Sequence, residues 1–251
     1  MNLPLEIIPI PGIPEIQNND DLALIIADAA TAHQIHFQKK DILVVTQKII
    51  SKAEGCIFHK DEIEASGFAE QMSEYTGHSP EYMEMVLRTS RRIVRMTNGF
   101  IISQTKHGFV MANGGVDTSN TGGKDCISVL PDDPDASALE LKTRLEEKYG
   151  VELAVIISDT FGRPWRNGQV NMAIGIAGMK PLLDYRGKRD DDGRMMKATC
   201  IAAADELCSA AELVSGKTSR CPAVIIRNYQ YESGCGSARK FVMDEEQDVF
   251  K

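Results

Sequence analysis

The chain has 251 residues, enough for one large domain or two modest ones with their own cores. Its net charge of −8 argues against a general nucleic-acid-binding protein, which needs an excess of Lys and Arg. No apolar run reaches the roughly 20 residues that span a bilayer, and the first residues lack the pattern of a signal peptide. The six scattered cysteines form no CxxC pair, so we expect a cytoplasmic protein with reduced thiols and no membrane or nucleic-acid partner.

Strands and helices alternate irregularly along the sequence. The first half predicts a strand at 5–10, a turn at 11–14, a helix at 22–32 after Asp20-Asp21, a strand at 41–46, helices at 61–76 and from Ser79-Pro80, and strands within 91–112 with a hairpin near Lys106-His107-Gly108.

In the second half, the spacing of Ser137 and Glu140 predicts a capping box at the start of a helix that ends at Gly150. A strand at 151–157, a glycine-spaced apolar segment at 170–179, a helix at 203–214 and a strand at 223–226 follow. Because hairpins interrupt the alternation, we predict a mixed α/β (α+β) fold rather than a simple doubly wound sheet.

The segment 156–168 is the most informative stretch. A mostly apolar run ends in Ser158-Asp159-Thr160-Phe161-Gly162-Arg163, followed by the only tryptophan and by Arg166. Ligands usually bind at the carboxyl ends of strands in α/β sheets. We therefore expect Asp159 to hold a metal and Arg163 and Arg166 to clamp a phosphate or carboxylate. The alternative is a strand, a turn and surface charges.

A second polar segment, at 113–120, has the sequence Asn-Gly-Gly-Val-Asp-Thr-Ser-Asn and follows another strand-like run. If its strand neighbours the one before Asp159, the carboxylates of Asp117 and Asp159 meet at one edge of the sheet. Two such carboxylates repel each other unless a cation lies between them, and Mg²⁺ commonly uses one or two carboxylates plus substrate phosphates. The alternative reading of this segment is an ordinary turn.

Other local motifs are weaker. The run 215–219 (Ser-Gly-Lys-Thr-Ser) is not a P-loop, because Ala211 stands where the first glycine is required and a helix precedes it. Lys217 and Lys52 stay candidates for contacting phosphate. A calcium-binding loop aligned on Gly193 fails at Lys188 and Thr199, and the charged run 184–194 predicts either a substrate loop or a solvated one. The five histidines form no metal or triad pattern.

Together and in order, these segments resemble the coenzyme F420-0:L-glutamate (γ-glutamyl) ligase family over roughly residues 5 to 228. The matching segments are 12–14, 20–22, 41–45 with 50–55, 113–120, 157–168, 204–206, and 216–219 before Pro222. The resemblance implies a single domain over 1–251, with two possible lobes of uncertain boundaries. It also implies an unusual two-lobed mixed α/β fold with mixed sheets that forms an intertwined homodimer.

For activity, the resemblance implies a ligase that uses GTP and two divalent ions, Mg²⁺ or Mn²⁺, with K⁺ as a further candidate. L-glutamate is added to the carboxylate of the deazaflavin coenzyme F420-0 or F420-1. That carboxylate is phosphorylated by GTP, and the glutamate amine then displaces phosphate to form an amide.

By position, Asp117 and Asp159 correspond to catalytic metal ligands, and Thr160 lies at or near a second metal. The implied nucleotide-binding residues are Gly12, Ile13, Pro14, Gln47, Lys48, Lys52, Asn120, Gly216, Lys217, Thr218 and Ser219. Arg163 and Arg166 are assigned as substrate clamps on physical grounds only.

The chain departs from the family pattern at several positions. Gln47-Lys48 replaces small hydroxyl residues, Arg220-Cys221 replaces a glycine and a small apolar residue, and the tail 228–251 follows no pattern. Because no flavin-reductase-like segment is recognised after it, we expect a stand-alone ligase. Two alternatives therefore stay open: a related metal- and nucleotide-dependent ligase with another carboxylate acceptor, or a non-catalytic nucleotide-binding regulatory protein.

Overall fold

The computed structural model describes residues 3–97, 99–244, 246 and 248, and within these the chain forms six α-helices and twelve strands. The helices are α1 (Leu22–Ala32), α2 (Gln47–Ala53), α3 (Gly67–Thr76), α4 (Pro80–Thr89), α5 (Pro134–Tyr149) and α6 (Ala203–Ser215). The strands are β1 (Glu6–Pro9), β2 (Ile42–Thr46), β3 (Ile57–His59), β4 (Ser90–Thr97), β5 (Phe100–Thr105), β6 (Val110–Ala112), β7 (Cys126–Ser128), β8 (Ala154–Arg163), β9 (Arg166–Ala177), β10 (Leu183–Asp184), β11 (Cys200–Ile201) and β12 (Ala223–Arg227).

The largest sheet has five strands in the order β1-β12-β2-β8-β9. Only β2 and β8 run parallel, and the other neighbours are antiparallel. A three-stranded antiparallel sheet, β4-β5-β6, and two strand pairs, β3-β7 and β10-β11, complete the strand pairing of the described residues. The mixed α/β class predicted from the sequence is confirmed, whereas the two lobes and the homodimer stay predictions.

The core of the protein lies in two clusters of buried apolar side chains. The larger one joins the five-stranded sheet to α1, α5 and α6, and its central strands are continuous apolar runs because both faces are covered. The smaller one joins α3, α4, β5 and β7. Gly175 on β9 permits the close packing of α5, since a Cβ there would lie 2.2 Å from the carbonyl oxygen of Pro134.

The starts of α1, α4 and α5 show which capping residues the sequence predicts correctly. Asp21 caps α1 by accepting a hydrogen bond from the amide of Leu24 (3.0 Å), and Ser79 caps α4 with proline at its first position, both as predicted. The capping box at Ser137 is wrong. Asp133 caps α5 instead, one residue before Pro134, because its carboxylate accepts from the backbone three residues later while Ser137 lies inside the first turn.

Three further expectations can be compared with the structure. The helix expected at 61–76 is shorter, since a single 3₁₀ turn precedes α3. The hairpin near residues 106–108 is confirmed between β5 and β6, and Gly150 ends α5 in the left-handed conformation as predicted. All six cysteines are free thiols. Among the described residues, none of the helices combines the length and apolar character needed to cross a membrane.

Candidate active site

A cavity of about 770 Å³ opens at one edge of the five-stranded sheet. Most of the residues predicted for the site line it. Those residues are Ile13, Pro14, Gln47, Lys48, Lys52, Asp117, Asn120, Asp159, Thr160, Gly216 and Lys217. Volumes of this size accommodate a ligand as large as a nucleotide.

Strand order explains why distant segments reach the same edge. The chain leaves β1 towards Ile13, leaves β2 directly into α2, and enters β12 through the loop after α6. Because β1 and β2 both run antiparallel to β12, the two exits and this entry lie at one end of the sheet. The backbone amide of Thr46 donates to the carbonyl of Pro222 (2.9 Å), which fixes the end of β2 beside the start of β12.

Asp159 lies inside a strand rather than in a loop after one, which corrects the sequence interpretation. β8 continues to Arg163 and forms a long hairpin with β9. Backbone pairing with β9 keeps this polar segment in a strand, although its composition is typical of a loop. Pairing with β2, however, ends at Thr46 opposite Ser158. Asp159 is therefore the first residue beyond the parallel pair, where ligands bind in such sheets.

An irregularity in the hairpin also affects this position. The register between β8 and β9 shifts by one residue between Ile157 and Ser158. Such bulges change which side chains face each surface of a strand and are frequent beside functional sites. Here the bulge separates the fully buried apolar half of β8 from its polar half, of which Ser158, Asp159 and Thr160 line the cavity.

Burial raises the pKa of Asp159 to about 6, from an ordinary value of 3.8. The backbone amide of Thr160 and the charges of Lys48 and Lys217 act in the opposite direction, whereas the charge of Asp117 adds to the increase. In the described part of the chain no side chain donates a hydrogen bond to this carboxylate. The negative charge of Asp159 is thus poorly stabilised by the protein, and a bound cation would stabilise it.

Asp117 reaches the cavity from outside the five-stranded sheet, in the segment that follows β6 of the three-stranded sheet. A 3₁₀ turn, Asn113–Gly115, separates it from β6, and its backbone pairs with Ser128. The condition under which the sequence predicts that the two carboxylates meet, that their strands are neighbours in one sheet, is not fulfilled, because β6 belongs to the three-stranded sheet. The two carboxylates nevertheless line the same cavity, because the loop after β6 lies over the edge at which β2 ends.

The environment of Asp117 differs from that of Asp159. Lys48 donates to its Oδ2 at 2.8 Å, and Ser119 donates through its hydroxyl (2.6 Å) and its backbone amide (2.9 Å). Burial acts to raise the pKa of Asp117, but the charge and hydrogen bond of Lys48, with those of Ser119, outweigh it, and the net pKa is lowered. Asp117 is therefore ionised over the whole neutral range.

A polar network beside Thr160 was missed from the sequence. Lys217 donates to the hydroxyl oxygen of Thr160, which donates to Oδ1 of Asn171 at 2.8 Å. The Asn171 amide donates to Glu212 at 3.4 Å, and Ser215 donates to the same carboxylate at 3.2 Å. Only the hairpin register, which places Thr160 opposite Asn171, could have identified this connection.

Some of the predicted nucleotide-binding residues line the cavity but are bonded to other protein groups, and others lie outside the lining. Lys52 pairs with Glu15, and the amide of Gln47 donates to Ser51 and to the carbonyl of Val129 (3.1 Å), so the side chain of Gln47 supports the cavity wall. Gly12, with a φ of +81°, directs the chain into the cavity at the next residue without lining it. Thr218 and Ser219 also lie outside the lining.

Arg163 and Arg166 lie at the turn of the β8–β9 hairpin, and neither lines the cavity. Arg163 donates to the carbonyl oxygens of Asn167 (2.7 Å) and Gly168 (3.4 Å), so its guanidinium holds the turn. The assignment of these arginines as anion clamps stays a prediction without support from their position. Arg220, which the sequence interpretation treated only as a departure, does line the cavity.

The carboxylates of Asp117 and Asp159 form a donor pair that fits a hard divalent cation. Within the described residues no cluster of three or more His, Cys, Asp or Glu side chains is arranged to hold a metal. Two carboxylates completed by phosphate oxygens are, however, a normal set for Mg²⁺. Asp117 accepts three hydrogen bonds and so keeps one acceptor position, while Asp159 keeps its side-chain oxygens.

Comparison with known proteins bears on the nature of this cavity. The chain matches the family described as F420-0:Gamma-glutamyl ligase over residues 12–228. It is 43% identical over 252 residues to a coenzyme F420:L-glutamate ligase of Methanopyrus kandleri, covering 98% of each chain. Relatives of the same name from Methanothermobacter thermautotrophicus (42% identical, 98% and 99% covered) and Methanocaldococcus jannaschii (40%, 87% of each) are also similar to it.

Proposed function

Because the chain belongs to the F420-0:gamma-glutamyl ligase family, we propose that it is a GTP- and divalent-metal-dependent ligase. It would join the amine of L-glutamate to the carboxylate of coenzyme F420-0 or F420-1. The observation that carries this proposal is the convergence of Asp117 and Asp159 with the ammonium groups of Lys48 and Lys217 on one cavity. Paired carboxylates among fixed cations suit phosphoryl transfer from a nucleotide.

The proposed reaction has two steps. An oxygen of the acceptor carboxylate attacks the γ-phosphorus of GTP, GDP leaves, and an acyl phosphate forms. The glutamate amine then attacks the carbonyl carbon, phosphate leaves, and the nitrogen gives up a proton as the amide forms. In the first step negative charge develops on the leaving β-phosphate of GDP, and in the second it develops on the carbonyl oxygen and then on the leaving phosphate, so preorganised positive charge is the main contribution that the protein can make.

The residues of the cavity have distinct parts in this scheme. Asp117 and Asp159 would hold the divalent ion, which would neutralise charge on the transferring phosphoryl group. Lys48 stays beside Asp117 and keeps it ionised. The segment at Ile13 and Pro14, with the loop that contains Gly216 and Lys217, forms the wall on which the nucleotide would lie.

A homodimer is part of the same proposal. On the β4–β5–β6 sheet one face is buried, including Ile101 and Met111, while the opposite face leaves Phe100 and Val110 exposed at 47% and 45%. A second copy would cover this face. Multi-angle light scattering should give twice the chain mass for the wild type and the chain mass for Phe100→Glu, and a monomeric wild type would refute the dimer.

The direct test combines purified protein with GTP, Mg²⁺ or Mn²⁺, L-glutamate and F420-0, followed by mass spectrometry. We expect the acceptor to gain one glutamyl residue per amide formed, with GDP and phosphate released in equal amounts. Asp159→Asn should lower turnover at least about a hundredfold, as for loss of a group that stabilises transition-state charge. Asp191→Asn, which removes an exposed carboxylate outside the cavity, is the matched control.

Two results would overturn the proposal. One is the absence of glutamate addition under all these conditions. The other is full turnover by Asp159→Asn, which would exclude Asp159 from the reaction. Turnover of GTP with a different carboxylate acceptor alone would favour the related ligase activity that the departures at Lys48 and Arg220 leave open.

A further inference from the structure

We propose that the tip of the β8–β9 hairpin binds the aromatic ring of the acceptor, with Trp165 stacking on that ring while the acceptor's carboxylate lies in the cavity. The inference rests on the proposed function, because it concerns how the acceptor of that reaction is held. It gives a part in substrate recognition to a side chain outside the cavity lining.

Beyond the five-stranded sheet the hairpin forms a two-stranded arm, residues 159–172, that leads away from the cavity. Pairing of β8 with β2 ends at Ser158, and from there on β8 pairs only with β9 within the described chain. At the base of the arm Thr160 lies opposite Asn171, and both residues line the cavity. A ligand that extends from the cavity in this direction therefore meets the arm.

One face of the arm is open to solvent. Because side chains alternate between the two faces of a strand, Gly162 shares the face of Thr160. Phe161 points to the opposite face, where it is buried against the ring of Phe109. Gly162 is exposed, and a Cβ built on it would meet no atom within 4 Å. Its pairing partner, Gln169, lines the cavity, so the open face of the arm continues the cavity wall.

Trp165 occupies a position that neither turn chemistry nor packing explains. It is the second residue of the two-residue connection Pro164-Trp165, and its φ is +57°. Gly or Asn normally supplies this left-handed conformation in a turn, and a bulky side chain there is strained. Trp165 is 82% exposed, so burial in the core does not offset the strain. Such backbone strain clusters at sites that hold ligands.

The charge of the arm suits an anionic acceptor. Residues 160–171 contain two arginines and no acidic residue, although the whole chain has a net charge of −8. A locally positive segment of a negative protein attracts anions. The acceptor of the proposed reaction carries a phosphodiester and a carboxylate, and both of these groups are negative at neutral pH.

The length of the arm suits the same acceptor. A polyol chain and the phosphodiester link the deazaflavin ring to the reacting carboxylate through about ten single bonds, which extend over roughly 12 Å. The strand from Thr160 to Arg163 spans about 10 Å, and Trp165 follows in the turn. A carboxylate held in the cavity therefore places the ring at the tip of the arm.

Ring binding is tested with a fragment of the acceptor, the deazaflavin with its polyol chain but without the phosphodiester and carboxylate. The fluorescence of the fragment is titrated with the wild type and with variants at the tip. We expect Trp165→Ala and Trp165→Leu to bind it at least about tenfold more weakly, as for loss of one stacked aromatic side chain. Trp165→Phe, which keeps an aromatic ring, should recover most of the affinity. Tyr75→Ala, which removes an exposed aromatic side chain outside the cavity, should match the wild type.

Steady-state kinetics with the complete acceptor gives a second measurement. Trp165→Ala should raise the KM for the acceptor by at least about tenfold and leave the KM values for GTP and L-glutamate unchanged. A purely structural part for Trp165 would instead alter all three KM values together. Circular dichroism of each variant checks that it is folded.

Two results would overturn the inference and leave the proposed function intact. One is equal affinity of the wild type and Trp165→Ala for the fragment, with glutamate still added by the wild type. The other is a change of mass in light scattering for Trp165→Ala, because the tip would then belong to a contact between subunits. A wild type that binds the fragment through Trp165 but adds no glutamate would overturn the proposed function and support the ring-binding site.

Discussion

Replacing Asp159 with Asn should make the metal-free protein more stable at neutral pH while abolishing its function. The carboxylate is partly buried at the cavity wall without a side-chain hydrogen-bond donor in the described chain, and its pKa is raised from 3.8 to about 6. Asn has nearly the same shape and no charge. The variant therefore removes the unfavourable burial of the carboxylate and little else.

The sign and size of the effect follow from the raised pKa. Because the folded state binds the proton more tightly than the unfolded state, the wild type loses stability as the pH rises from 3.8 towards about 6. At about 1.4 kcal/mol per unit of pKa, the full loss is about 3 kcal/mol. Between pH 4.5 and 7.5 the free energy of unfolding of Asp159→Asn should therefore gain about 2 kcal/mol relative to the wild type.

Urea unfolding in EDTA, followed by circular dichroism at both pH values, measures this difference. Asp191→Asn is the control for removing a carboxylate from the surface. A difference between Asp159→Asn and the wild type that stays constant from pH 4.5 to 7.5 would refute the reasoning. In that case the carboxylate would be solvated or paired in the metal-free protein, and its burial would no longer be an argument for a bound cation.

Three further predictions concern the cavity and its support. Lys48→Met should cost about 1 kcal/mol of unfolding free energy at pH 7, because the half-buried pair with Asp117 is broken. The pKa of Asp117 is lower in the folded protein than its ordinary value of 3.8, so this loss should disappear only as the pH falls through that lowered folded pKa, and a cost that persists at still lower pH would contradict the electrostatic explanation. In urea unfolding, Asp133→Ala should lower the free energy of unfolding by about 1 kcal/mol, because the cap of α5 is lost, whereas Ser137→Ala should stay within about 0.5 kcal/mol of the wild type. A larger loss for Ser137→Ala than for Asp133→Ala would show that Ser137 caps the helix after all. Arg220→Ala should raise the KM of one anionic substrate about tenfold in steady-state kinetics, as for loss of one charged hydrogen bond, and unchanged KM values would exclude Arg220 from substrate binding.

The sequence by itself determined the class of the fold and most of its local boundaries. Continuous apolar runs identified β2 and β12 because strands covered on both faces need no alternation. Caps at Asp21 and Ser79 fixed two helix starts because they depend on contacts three residues apart. The segments around Asp117 and Asp159 were also identifiable, since glycines and acids after apolar runs are a local pattern.

Only the tertiary structure decided how these segments meet. The polar half of β8 looked like a loop because its hydrogen-bonding partner, β9, was not identifiable from composition. Asp117 and Asp159 come from different sheets, and Asn171 and Glu212 reach Thr160 through the hairpin register and the position of α6. Such pairings depend on residues far apart in the chain, and neither periodicity nor capping encodes them. For the same reason, the sequence could place an acid and a lysine at the site but could not show which oxygen each would bind.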